Sequence, residues 1–144
     1  MDNIDLELIR NEVEVLTLNK HKYVINLITS FENHEFFYIV TEYFEKSICL
    51  VDYMKNLKFN LNANKTKTLL KKVYEVINFM HTNGVICRNI KTENILITDE
   101  KDSLDIRFIN FRFSKFLGKN QFIVNEPFGA MVSKLNLIFI WNLI

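Results

Sequence analysis

At 144 residues, the chain is long enough for one domain with its own core and too short for two comfortable ones. Apolar residues make up 49% and charged residues 24%, which excludes a disordered or low-complexity chain. A formal net charge of +1 excludes nucleic acid or an acidic membrane as the main electrostatic partner.

The elements follow in chain order. Residues 4–19, "IDLELIRNEVEVLTLN", place Leu8, Ile9, Val13, Val15 and Leu16 at mixed helical spacing and predict a helix ending near Asn19. "YVINLITSFEN" and "EFFYIVTEYFE" are rich in Val, Ile, Phe, Tyr and Thr. The polar Glu32-Asn33-His34-Glu35 between them makes an antiparallel hairpin the expectation. "CLVDYMKNL" predicts a short helix. From Asn64 to Thr82, the apolar set Leu69, Leu70, Val73, Val76, Ile77 and Met80 fits one helical face, with Gly84 as its C-terminal cap. Short strands are expected at Asn94–Thr98 and Asp105–Ile109, joined by the polar turn "DEKDS", and a loop after Phe116. The final "LNLIFIWNLI" is too short for a membrane span and reads as a core helix.

Cys49 and Cys87 form no CxxC pair, and no secretory signal opens the sequence. Reduced thiols in an intracellular protein, cytoplasmic or nuclear, are therefore expected. His21, His34 and His81 have no ligand spacing, so no zinc site is expected.

Taken together, these segments resemble the middle of a eukaryotic protein kinase, most like serine/threonine kinases of the calmodulin-dependent and AMP-activated group. "NEVEVLTLNKHKYVINL" is similar to the family's helix C entering its fourth strand, and "NHEFFYIVTEYFE" to the fifth strand and the adenine-contacting hinge. "HTNGVICRNIKTENILI" resembles the end of helix E and the catalytic loop, usually H-R-D-x-K-x-x-N, and "LDIRFINFRFSKFL" the strand and D-F-G element that follow. The four matches stay in register from about residue 7 to 118, which makes chance a poor explanation.

The resemblance implies an α+β, incomplete kinase-like fold: helix C and the hinge hairpin of the small lobe (about residues 1–44), then the first part of the helical large lobe (about 45–144). It carries over residue by residue. Arg88 and Lys91 match the catalytic-loop arginine and lysine, and Asn94 the metal-binding asparagine. Glu12 matches the helix C glutamate, Thr41 the gatekeeper, and Glu42, Tyr43 and Phe44 the hinge. Leu96 matches the floor beneath adenine; Leu16, Leu27 and Phe111 match three of the stacked apolar residues linking the lobes. ATP and Mg²⁺ are the family's cofactors. Any of these residues also has a plain structural reading as core, cap or solvated charge.

The departures remove chemistry. Asn89 stands where the family has its catalytic aspartate, and an amide cannot act as a base near neutral pH. Asn110 replaces the D-F-G aspartate, and its neutral oxygen is a weaker partner for hard Mg²⁺. Arg112 replaces the glycine that follows, and Cys87 the loop histidine. The family's glycine-rich loop and strand-three lysine lie upstream of helix C, close to where Met1 falls, so Glu12 is expected to lack a lysine partner. "NEPFGAMVSK" and "FIWNL" are eroded counterparts of later family motifs. The expectation is a kinase-like domain without phosphoryl transfer, as a pseudokinase or a truncated remnant. The alternatives are a non-catalytic module that binds another protein, or one part of a larger active kinase.

Overall fold

The computed structural model describes residues 3–99 and 104–116. Helix α1 (Asn3–Leu18) turns Val15 and Leu16 into the core. It stops at Asn19, whose main-chain and side-chain amides both donate to Val15 O at 3.0 and 2.9 Å. The side-chain N–H thus shares a terminal helical carbonyl with the main-chain N–H and is itself satisfied where Asn19 is buried.

The hairpin comprises β1 (Leu27–Glu32) and β2 (Phe37–Thr41), paired antiparallel with a bulge between Leu27 and Thr29. Asn33 makes the turn: its Oδ1 accepts Glu35 N–H and Phe36 N–H, at 3.0 and 2.7 Å, as Asn side chains do in turns. The strands are shorter than the apolar runs in the sequence. Residues 23–25 leave the hairpin to run along another strand, with Ile25 N–H donating to Phe108 O and Phe108 N–H to Tyr23 O.

A strap from Glu42 to Ser47 leads to β3 (Ile48–Cys49) and α2 (Leu50–Asn56). Cys49 was expected at the start of the helix and instead pairs with Leu96 in a strand. Helix α3 (Ala63–Thr82) begins on Asn62, whose Oδ1 accepts Lys65 N–H at 2.9 Å, a standard N-terminal cap. Its buried residues are Leu69, Lys72, Val73, Val76, Ile77 and Met80. Leu70, expected on that face, is 42% exposed, because the i, i+3, i+4 register through Leu69 and Val76 places Lys72 there instead. Gly84 takes φ 71° just past the helix end, as a left-handed terminator does.

Then come β4 (Val85–Ile86), a 3₁₀ turn (Thr92–Asn94), β5 (Ile95–Asp99), β6 (Asp105–Phe108) and β7 (Lys115–Phe116). The order β3-β5-β6 forms one sheet, β4-β7 another and β1-β2 the third. Alternation along β5 and β6 buries Ile95, Ile97, Ile106 and Phe108 and places Leu96 and its cross-strand partner Arg107 on the opposite side. The core joins these side chains with Val15, Leu16, Val24, Val76, Met80 and Val85. The result is a partial kinase-like α+β fold. The expected final helix at Leu135–Ile144, the loop after Phe116 and most of the "DEKDS" turn lie outside the described residues.

Among the described residues, no helix is long and apolar enough to cross a membrane.

Candidate functional site

Between α1, the inner side of the hairpin, the strap and β5 lies a cleft of about 510 Å³. Glu12 and Leu16 enter it from α1, Ile39 and Thr41 from β2, and Glu42, Tyr43 and Phe44 from the strap. Leu96 forms part of its wall from β5, and Ile109, Asn110 and Arg112 come from the segment after β6. The residues matched to nucleotide contacts, Glu12, Thr41, Glu42, Phe44 and Leu96, thus converge on one cavity although up to 84 positions separate them in sequence.

The strap is fixed by Glu42. Its main-chain N–H donates to Asn26 O, and its Oε1 accepts Asn26 N–H at 2.8 Å. The same oxygen lies 3.4 Å from Arg107 Nε, while the Arg107 guanidinium stacks 4.9 Å from the Phe44 ring centre. The hinge-like segment is therefore clamped to β6 by a charge and a ring face.

Glu12 has a backbone partner: its Oε1 accepts Phe111 N–H at 2.8 Å. One residue earlier, Asn11 Nδ2 donates to Arg112 O and Ser114 O at 3.0 and 2.8 Å. Ser114 Oγ in turn donates to Cys87 O at 3.2 Å. Helix α1 thus grips the 111–114 segment from one side and the loop before β5 meets it from the other. Sequence reasoning missed Asn11, Ser114 and Arg107, since a lone polar residue carries no signal of a partner about 100 positions away. Only Arg107, between inward Ile106 and Phe108, could have been found by alternation.

The loop residues occupy adjacent places. Arg88 sits at φ 54°, and its Nε donates to Phe113 O at 2.6 Å, with Nη1 buried and without a partner among the described residues. Lys91 is exposed. The buried Asn94 donates through Nδ2 to Asn89 O at 2.8 Å, which orients its Oδ1 toward Asn110 Nδ2, 3.4 Å away. Asn110 is at φ 65°, a left-handed geometry that Asn tolerates better than most residues. Beside the loop, Cys87 packs where a histidine was expected, and burial pushes its thiol up to about 12, so it is protonated and unreactive.

Magnesium can be tested against this donor set. Mg²⁺ demands oxygen ligands in near-octahedral geometry and dehydrates reluctantly. Asn94 is engaged through both its amide atoms, and Asn110 retains one buried oxygen without a hydrogen-bond partner. Among the described residues, no group of three His, Cys, Asp or Glu could hold a metal ion. A single neutral oxygen does not fit a hydrated dication.

The cleft, the loop and their register define a protein kinase fold. The family model of the protein kinase domain matches residues 1–131, and the chain belongs to that family. It is 30% identical over 122 residues to mouse "NUAK family SNF1-like kinase 1", covering 85% of this chain and 18% of that protein. To "Probable serine/threonine-protein kinase 2" of Plasmodium falciparum it is 34% identical over 106 residues, covering 74% of this chain and 20% of the relative. To the rat "Phosphorylase b kinase gamma catalytic chain, liver/testis isoform" it is 33% identical over 106 residues, covering 73% and 25%. The chain thus spans a quarter or less of the length of these curated relatives.

Proposed function

We propose that this chain is a non-catalytic, kinase-like module that keeps a nucleotide-sized cleft and has lost phosphoryl transfer. One observation carries the reading: the Asn94 and Asn110 side chains hydrogen-bond to each other where the family's metal ligands would stand. Asn89 adds that no carboxylate is available at the base position. Phosphoryl transfer depends on positioning and on neutralising charge, and these positions supply no base and, in place of the D-F-G carboxylate, only a neutral amide bonded to Asn94. In a longer chain, the same amides would occupy the same places.

The apolar wall through Leu96 and Ile109 and the clamped strap at Glu42–Phe44 suit a flat heterocycle, as in the ATP site of the family. Glu12 bonded to the Phe111 amide and Arg112 on the cleft wall where the family has glycine support the same reading. The working partner in this reading is another protein, met inside the cell.

The test is transfer of labelled phosphate from ATP, with Mg²⁺, to the chain itself and to a basic serine peptide. The wild-type chain is expected to show none, and so is the Asn89→Asp/Asn110→Asp double variant, because Arg112 still stands where the family has glycine and Glu12 stays bonded to the Phe111 amide. Transfer by the wild-type chain overturns the reading. Transfer by the double variant alone shows that the amides were the whole defect.

A further inference from the structure

We infer that the cleft takes a nucleotide polyphosphate free of divalent metal, with the Arg112 guanidinium supplying the positive charge that a metal would bring; this rests on the nucleotide reading above. The departures from H-R-D and D-F-G act in one direction. Asn89 and Asn110 each remove a negative charge, and Arg112 adds a positive one. A site that loses its main metal carboxylate and gains a cation on the same segment has changed the source of its neutralising charge.

The geometry agrees. Arg112 lines the cleft beside Glu12 and Asn110, and its side chain is exposed. Its main chain is held on both sides of the guanidinium's root: Phe111 N–H binds Glu12, and Arg112 O accepts Asn11 Nδ2. Among the described residues, no side chain is bonded to that guanidinium. It is therefore an anchored, unengaged donor fork of the kind that matches phosphate oxygens.

The charges facing it are few. Glu42 is compensated by Arg107, and Glu12 shares its charge with the Phe111 amide. Lys91, on the loop before β5, is exposed and does not line the cleft. Bare polyphosphate carries more negative charge than its magnesium complex, so a guanidinium should favour the bare form, provided no metal ligands reward the complex.

Adenosine, ATP with EDTA and ATP with Mg²⁺ are titrated into the wild-type chain and its Arg112→Gly and Arg112→Lys variants by calorimetry. The expected result is that ATP in EDTA binds at least as tightly as ATP with Mg²⁺ and more tightly than adenosine. Arg112→Gly should weaken ATP in EDTA about tenfold more than it weakens adenosine, the scale of a charged hydrogen bond, and Arg112→Lys should restore part of that loss. If adenosine binds and ATP needs Mg²⁺, or if Arg112→Gly leaves the ATP preference intact, the metal-free inference fails while the nucleotide reading stands. If neither adenosine nor ATP binds in any condition, both fail.

Discussion

Lys72 sits on the buried face of α3 with 8% of its surface exposed, where a leucine or valine would be the ordinary choice. Its ammonium donates to Leu104 O and Asp105 Oδ1, both at 3.0 Å, and lies 5.1 Å from the Tyr23 ring centre. It thus ties α3, the start of β6 and the segment after α1 to one point. Lys72→Ala removes the donor and leaves the Leu104 carbonyl short of a partner. The expected cost is about 2 kcal/mol by urea denaturation, since an abandoned buried acceptor costs about 1–3 kcal/mol and the half-exposed Asp105 limits the ionic part. A change below a few tenths of a kcal/mol would show that the contact is ornamental. The sequence concealed this residue: its register on the helix face was readable, but a cation there invites the assumption of a solvated charge. Asn94 and Glu12 were legible as site residues only through their register in the family pattern. Their actual bonds, to Asn89 O and Phe111 N–H, depend on where distant backbone atoms come to rest.

At the scale of elements, long periodic segments were readable and two-residue strands were not. Helix α3 announces itself through apolar residues spaced three and four apart, and the hairpin through β-branched and aromatic runs around a polar turn. In contrast, β3, β4 and β7 contain two residues each, which is too few for any period to show; tertiary pairing alone creates them. The connection from α1 to β1 was likewise silent in the sequence. There, half-buried His21 packs against Tyr23 and Phe79 with ring centres 5.6 and 4.8 Å away, and its Nδ1 accepts Tyr23 N–H at 3.2 Å. Burial first, then the Lys22 charge, hold its pKa below the ordinary 6.5, with Glu75 opposing. A histidine depressed in the folded state binds its proton more readily when unfolded, so its contribution is full above 6.5 and is lost as pH falls through the folded pKa. The midpoint of urea unfolding should therefore drop more between pH 7 and pH 5 for the wild-type chain than for His21→Gln. Parallel pH profiles of the two proteins would remove His21 from the account.

For the whole molecule, the distribution of apolar surface matters more than its amount. The inner face of the hairpin meets α1 and the cleft. Its outer face presents Phe31 and Tyr38, stacked at 4.7 Å, with Val40 beside them and Phe36 at the turn. Phe31 and Phe36 remain 54% and 58% exposed. A two-stranded sheet among the described residues also leaves strand edges with unpaired amides, and such edges recruit other strands. Charge offers little protection: a formal net charge of +1 and a pI near 7.7 leave weak repulsion between copies at neutral pH. The isolated chain is therefore expected to associate as its concentration rises, first through this face. Phe31→Lys with Tyr38→Lys should reduce that association, at a stability cost of about 1 kcal/mol for the lost ring pair. Sedimentation velocity across a concentration series reads the association, and a urea melt of the double variant shows whether it still folds. If the wild-type chain sediments as a single monomer at every concentration, the outer face is adequately solvated and needs no cover. If it associates and the folded double variant associates equally, the contact lies elsewhere. Only a selective loss of association in the variant places the molecule's adhesive surface on the hairpin, on the side opposite the cleft, where a protein partner could sit without blocking a bound nucleotide.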